Sequence, residues 1–466
     1  MVVFEPKGKK VTVMGLGLHG GGIGAAKWLL NHGAKVTVTD LKDEKTLGKS
    51  LSEVEVVGPI DKILGRHREE DFTKADIVIK NPGVPNESKF LALARAAGVP
   101  IMTDIGIFFE NFPGAIVGVT GTKGKTTTTT LLHEILRAAG KKLLLGGNLR
   151  RSPLDDMDAA DTDTLAVLEL SSFQLEILAE LKKSPLVAIW TNIYPDHLDR
   201  YKDMAAYTEA KAQIFLHQKP DEFMIFNSDQ PELVELAKRA QSKVIFFSTE
   251  QALPEGIFVR DGGIIWKMAG QEQMIGEVSA IKLAGSHNIA NVLAAVVGAL
   301  VLGAPVEVVK EVIETFKGVA NRLELVRELD GVKYINDTAS TIPTSAIAAL
   351  HAFHEPVVLI AGGHDKKLPL EKFAHTILQK VHRMILFDSA VGQKLYEHMQ
   401  KDDAKKLKDI VITPFARSMA EAVERARIIA KPGSIVLLSP GAASFGMFQN
   451  EFDRGDQFVA VVKALS

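Results

Sequence analysis

The residues of this chain best equipped for chemistry lie in TGTKGKTT, residues 120–127. Gly121 and Gly124 would let backbone N–H groups turn inward on phosphate oxygens, with Thr122 and Lys123 completing the loop. Lys125 would neutralise the β- and γ-phosphates of a nucleoside triphosphate. The Thr126 hydroxyl would ligate Mg2+, and Thr127 follows it into a helix. Full Walker spacing asks for glycine at position 119, which is Val119 here, so the loop is a shorter variant. Glycines also serve tight strand-to-helix connections. The joint presence of two glycines, a lysine and a threonine favours nucleotide.

Other chemically apt residues are scattered along the chain. Glu169 ends an apolar run, where a carboxylate near a phosphate loop can hold Mg2+; its other reading is an acid at a helix N-terminus. Residues 191–200 gather Asp196, His197, Asp199 and Arg200 in a loop, where catalytic groups tend to be mounted. His197 reads as a metal ligand, a phosphate contact, a base or a satisfied structural histidine. Lys211, taken alone, reads as a solvated helix lysine. Gly15, Gly17 and Gly20, with Leu18 and His19 between them, spell G-x-G-x-x-G, and Asp40 follows about twenty residues on. That pattern suits NAD, another diphosphate nucleotide or a purely structural turn. Three further loops, at residues 336–341, 362–366 and 439–444, would share a crevice if their strands share a sheet.

The elements that must carry these loops read as alternating strands and helices. Strands are expected at 10–14, 35–40, 76–80, 115–119, 164–170, 186–191, 332–336, 356–361, 383–388 and 434–439. Helices are expected at 126–139 and 288–302, with more β-like sequence at 244–267. The alternation predicts an α/β protein with largely parallel sheets and helices on both faces. A linker-like stretch at 111–114 and a new block near Asn321 divide the chain into 1–113, 114–319 and 320–466.

At 466 residues the chain is long enough for about two to four domains. A net charge of −2 gives no electrostatic case for nucleic acid or an anionic membrane. Without cysteine there is no disulfide and no thiolate chemistry, which fits a reducing compartment. No apolar stretch of about 18 residues predicts a membrane span, and residues 1–10 lack a secretory pattern, so the cytoplasm is expected.

TGTKGKTT, LELSSFQLE (168–176), DHLDRY (196–201) followed by Lys211, GSHNIANVLAA (285–295), NRLELV (321–326), NDTAST (336–341), AGGHDK (361–366) and LSPGAAS (438–444) occur in the order seen in Mur ligases. The chain resembles that family over essentially its whole length. The Asn81-Pro-Gly-Val-Pro85 turn and the Gly15 loop with Asp40 are most similar to members that add D-glutamate. The resemblance implies three domains: an N-terminal Rossmann-like UDP-binding domain, a central P-loop ATPase-type domain and a C-terminal Rossmann-like domain. It implies an ATP-dependent ligase of peptidoglycan precursor synthesis, joining D-glutamate to UDP-N-acetylmuramoyl-L-alanine through an acyl phosphate, with two Mg2+ ions and a monomeric chain.

The same resemblance implies residue roles. Thr126, Glu169, His197 and a carbamylated Lys211 would hold metal, with Lys125, His197 and Lys211 as catalytic groups. ATP would meet residues 121–127, Asn288 and Asn291, with Arg322 and Asp337 supplied by the third domain. Gly15, Gly17, Leu18, His19, Gly20, Asp40, Gly83 and Asn148 would bind the UDP substrate, and Thr341, Lys366 and Ser444 the amino acid. Lys123, Ala339, Glu451 and the Leu149-Arg150-Arg151 stretch depart from the commonest family pattern. Rival readings are a sister ligase adding another amino acid or L-glutamate, a P-loop NTPase that switches a binding surface, and an NAD-dependent oxidoreductase.

Overall fold

Apolar strands, each followed by a loop and usually a helix, build three sheets. The computed structural model describes residues 4–18, 20–149, 151–198, 200–283, 285 and 287–465. His19 and Asp199, both singled out above, lie outside the described residues. The chain divides into two compact units: residues up to Ile281 together with Ile289–Glu314, and Lys282–Asn288 together with residues from Thr315 on.

The first sheet comprises β1 (Lys10–Met14), β2 (Lys35–Asp40), β3 (Asp61–Leu64), β4 (Ile77–Lys80) and β5 (Ile101–Met102), in spatial order β3-β2-β1-β4-β5. All its pairings are parallel. Connections leave β1 towards β2 on one side, while β4 joins on the other, so a crevice opens beyond the carboxyl ends of β1 and β4. The Gly15–Gly20 loop and the Asn81–Pro85 turn flank that crevice.

The second sheet comprises β6 (Ala115–Thr120), β7 (Leu143–Gly147), β8 (Leu165–Glu169), β9 (Val187–Trp190), β10 (Phe223–Asn227), β11 (Lys243–Ser248), β12 (Gly256–Arg260), β13 (Gly263–Met268) and β14 (Gln271–Glu277). Their order is β14-β13-β12-β11-β10-β9-β6-β8-β7. It is parallel from β7 to β12, and β13 and β14 extend it as antiparallel strands. Strand β6 sits between β8 and β9, so the loops after all three open at one edge. Val117, Val119, Leu168 and Ile189 on these strands are fully buried, as a parallel sheet covered on both faces requires. One apolar cluster runs through both sheets, from Val11 and Val13 to Leu168, Trp190 and Phe226. Polar contacts reinforce it: Trp28 Nε1 donates to Asp158 at 3.1 Å and Lys27 Nζ to Asp155 at 3.0 Å.

The second unit holds β15 (Glu324–Leu329), β16 (Val332–Asn336), β17 (Val357–Ala361), β18 (Val381–Phe387), β19 (Val411–Ala416) and β20 (Ile435–Leu438), ordered β15-β16-β20-β17-β18-β19. Only β15 pairs antiparallel. Strands β16, β20 and β17 are neighbours, so the three loops 337–341, 439–444 and 362–367 do share one edge. Among the described residues no helix is long and apolar enough to cross a membrane.

Candidate functional site

Strand β6 delivers the chain into residues 121–124, and the helix Lys125–Ala138 leaves it. Gly124 is the N-cap, at φ +82°, with no side chain capping the first turn. A Cβ there would lie 2.0 Å from Asn291 Oδ1, so only glycine fits the approach of helix His287–Val301. A glycine N-cap has no side chain to occupy the helix N-terminus, and the helix dipole favours an anion there.

The loop is braced by the strand end of β9. Thr191 Oγ1 donates to Lys123 O at 2.7 Å, and Asn192 Oδ1 accepts from Lys123 N–H at 2.8 Å. Thr122 Oγ1 accepts from Tyr194 N–H at 3.0 Å and lies 3.2 Å from the Tyr207 hydroxyl. Lys125 curls back, its ammonium donating to Gly121 O at 2.9 Å and Thr122 O at 3.1 Å. Thr126 and Thr127 occupy the first helical turn, and Thr127 is buried.

Glu169 ends β8 directly beside β6, paired in register with Val119. It is buried; its Oε1 accepts from Asn148 Nδ2 at 2.8 Å, whereas Oε2 has no hydrogen-bond partner. A buried carboxylate oxygen left unpartnered is costly unless something cationic meets it. Among the described residues no three His, Asp or Glu side chains form a metal cluster. One carboxylate, a threonine hydroxyl and nucleotide phosphates are the donor set that suits Mg2+, which seldom uses an all-protein cage. The residues therefore fit that ion. Asn148, expected at the UDP substrate, is held to Glu169 through both its side chain and its backbone N–H, the latter donating to Glu169 O at 2.7 Å.

Lys211 is not solvated. The helix Met204–Ala212 turns it beneath the phosphate loop, 1% exposed, with Nζ 3.0 Å from Gly121 O and 3.3 Å from Thr120 Oγ1. Burial pushes its pKa well below the ordinary lysine value, and the Lys125 charge adds to this; Asp196 and Glu169 oppose it. Its ammonium lies over the Tyr207 ring, 4.9 Å from the centroid, and His197 meets the same ring at 6.1 Å. His197 is exposed and adopts φ +54°, in the left-handed region that few non-glycine residues enter. Burial pushes Tyr207 up to about 12, so it stays a neutral hydroxyl.

At the first sheet, Asp40 Oδ2 accepts from Gly17 N–H at 3.2 Å and its Oδ1 from Lys42 N–H at 2.9 Å. Gly15 and Leu18 are half-buried along the same loop, Gly20 caps the helix Gly21–Asn31, and Gly83 is exposed in a turn closed by Asn81 Oδ1. In the second unit, Thr341, His364, Asp365, Lys366, Gly441 and Ala442 line one cavity. Ser444 is buried, its Oγ without a partner. Asp337 is buried and accepts from the Ser439 hydroxyl at 2.8 Å, the Leu323 N–H at 3.3 Å and the Ser340 hydroxyl. Burial raises its pKa to about 6. Arg322 is exposed, and Asn288 opens helix His287–Val301, its N–H donating to Gly285 O at 3.0 Å.

Sequence reasoning missed Arg454. Its fully buried guanidinium donates to Thr338 Oγ1 (3.0 Å), Thr338 O (2.9 Å) and Ala442 O (3.0 Å), tying together the loops that carry Thr341 and Ser444. Nothing in the polar stretch around it marks it as interior.

Residues 9–103 match the Mur ligase MurD-like, N-terminal domain, residues 119–299 the Mur ligase middle domain, and residues 321–441 the Mur ligase, glutamate ligase domain. The UDP-N-acetylmuramoylalanine–D-glutamate ligase of Roseiflexus sp. (strain RS-1) is 44% identical over 467 residues, covering 98% of this chain and 99% of that protein. This chain belongs to the Mur ligase family. A second such relative of this Mur ligase, from Symbiobacterium thermophilum, is 38% identical and covers 98% of each chain. Solved structures share the fold at lower identity. The UDP-N-acetylmuramate-alanine ligase of Thermotoga maritima aligns at TM-score 0.62 and 19% identity, over 98% of this chain and 99% of its own. A pseudomurein peptide ligase from Methanothermus fervidus aligns at 0.57 and 19%, over 98% and 100%. As a Mur ligase the chain is an ATP-dependent, amide-bond-forming enzyme with the three-domain fold of that family.

Proposed function

We propose that this ligase joins D-glutamate to UDP-N-acetylmuramoyl-L-alanine in peptidoglycan precursor synthesis. The two full-length relatives named above carry that activity in their names, which supports the choice of substrates. The observation that carries the chemistry is the convergence of Lys125 and Lys211 on the Gly121 carbonyl, with Glu169 at the end of the neighbouring strand beside Val119.

The substrate carboxylate attacks the γ-phosphorus of ATP, forming an acyl phosphate and releasing ADP. The glutamate amine then attacks the acyl carbon, the tetrahedral intermediate expels phosphate, and the nitrogen loses its proton. Such transfers depend on positioning and charge neutralisation. Residues 121–127 cradle the phosphates, and Lys125 follows the γ-phosphoryl group. By the family resemblance, Asn288, Asn291, Arg322 and Asp337 would contact the rest of the nucleotide. Thr126, Glu169, His197 and a carbamylated Lys211 would hold two Mg2+ ions, which neutralise phosphate charge when bound. The Gly15 loop, Asp40 and Gly83 take the UDP end, with Asn148 acting through Glu169. Thr341, Lys366 and Ser444 take the glutamate carboxylates, for which a lysine and a partnerless hydroxyl are apt donors.

We place the domain limits at 1–113, 114–319 and 320–466, a division into three that the three family matches support. ATP and a UDP-linked precursor as substrates support a cytoplasmic location. The test is ADP release with UDP-N-acetylmuramoyl-L-alanine and either glutamate enantiomer, with the product weighed. D-glutamate should drive turnover and appear in the product. Turnover with L-glutamate alone would overturn the assignment.

A further inference from the structure

Arg200 joins the loop bearing His197 to the first sheet. Its Nη1 donates to Pro82 O at 3.0 Å and its Nη2 to Val84 O at 3.4 Å. The guanidinium lies 4.1 Å from the centroid of the Phe173 ring, and Phe173 in turn meets the His197 ring edge-on at 4.8 Å. Nη2 also stands 3.7 Å from Glu176 Oε2.

Glu176, on the helix Ser172–Leu181, is the hub of this cluster. Its Oε1 accepts from the Tyr201 hydroxyl at 2.8 Å, and its Oε2 accepts from Asn86 Nδ2 at 2.8 Å. The buried Lys80 ammonium lies 3.9 Å from Oε2 and donates to Asn86 Oδ1. One carboxylate, on the helix that follows β8, thus gathers residues 80–86 at the end of β4 and residues 200–201 of the His197 loop. On its far side the Asn81–Val84 turn packs on the glycine loop, since a Cβ at Gly15 would lie 3.1 Å from Asn81 Cβ and 3.3 Å from Val84 Cγ2.

A guanidinium fixed by two carbonyls, a ring face and a carboxylate has one orientation, and its charge faces protein groups rather than a ligand. What it controls is the distance between the loops of the first sheet and those of the second. We propose that Arg200 is a positioning residue that keeps the Asn81–Val84 turn in register with the His197 loop, so that the carboxylate of a substrate held at the first sheet meets the γ-phosphate. The inference rests on the ligase reading and adds to it the Arg200–Glu176 clamp.

Steady-state kinetics of Arg200→Leu, Arg200→Lys and Glu176→Gln test it. Leucine keeps the apolar cover on Phe173 and loses both carbonyl bonds. The KM for the UDP substrate should rise by more than about tenfold and kcat should fall, while the KM for ATP moves less than about twofold. Arg200→Lys should recover little, because one ammonium cannot replace a planar fork on two carbonyls. Glu176→Gln removes the charge and leaves one acceptor oxygen in place of two; it should show the same split more weakly, and it answers the question if the leucine variant does not fold. An unchanged KM for the UDP substrate, or equal rises for both substrates, would overturn the role of Arg200. Absence of UDP-substrate-dependent ADP release in the wild type would instead overturn the ligase reading.

Discussion

Lys125 and Lys211 place their ammonium nitrogens on the same carbonyl oxygen, that of Gly121, at 2.9 and 3.0 Å. Two cations on one acceptor repel, and the more deeply buried of the two yields its proton more readily. Burial and the Lys125 charge both lower the Lys211 pKa well below the ordinary lysine value, and Lys125 stands in the first turn of its helix, where phosphate is proposed to bind.

Lys125→Ala should lower kcat at least about a hundredfold, because a preorganised charge at the transferring phosphate is removed. Stopped-time ADP assays on the folded variant measure this. Near-normal turnover would remove Lys125 from the phosphate contacts.

A neutral amine is what carbon dioxide needs to form a carbamate, and the carbamate would turn a cation into an oxygen ligand. Lys211→Ala should be nearly inactive, with acetate or formate restoring part of the rate. Lys211→Arg should fail without rescue, since a guanidinium stays charged and fills the space. If Lys211→Ala keeps most of its activity, the lysine has no part in the metal site.

The sequence made much of this legible. Strand β16 was expected at residues 332–336 and is found there, because Val332, Tyr334 and Ile335 give a clear apolar run between a turn and a polar loop. The helix expected at 288–302 spans His287–Val301. The edge strands were not legible: β14 reads QEQMIGE and is mostly exposed, so it carries no apolar pattern. Lys211 and Arg454 escaped for a related reason. Their burial is set by contacts with residues some ninety to more than a hundred positions away, which local periodicity does not encode.

Asp337 gives the fold a pH signature. Its folded pKa of about 6 stands above the ordinary 3.8, burial being the main cause and its hydroxyl donors opposing it. The ionised form thus destabilises the native state above pH 6, by about 3 kcal/mol at most. That cost is relieved as pH falls from 6 towards 3.8 and is absent below. Melting temperatures of wild type and Asp337→Asn, compared across this window, should shift in favour of wild type as pH falls. A constant difference would show that Asp337 titrates normally.

Lys366 lines the same cavity as Thr341, at the end of β17. Lys366→Ala should raise the KM for glutamate by about tenfold or more while leaving that for ATP near its wild-type value. Parallel rises in both constants would move Lys366 out of the amino-acid pocket.

The central claim is that the substrate carboxylate takes the γ-phosphoryl group before the amine attacks. Supplying UDP-N-acetylmuramoyl-L-alanine with heavy oxygen in its terminal carboxylate tests this directly, by mass analysis of the phosphate released during turnover with ATP and D-glutamate. An acyl phosphate hands one carboxylate oxygen to the departing phosphate, so each phosphate should carry one heavy oxygen. Unlabelled phosphate accompanying amide product would contradict the account.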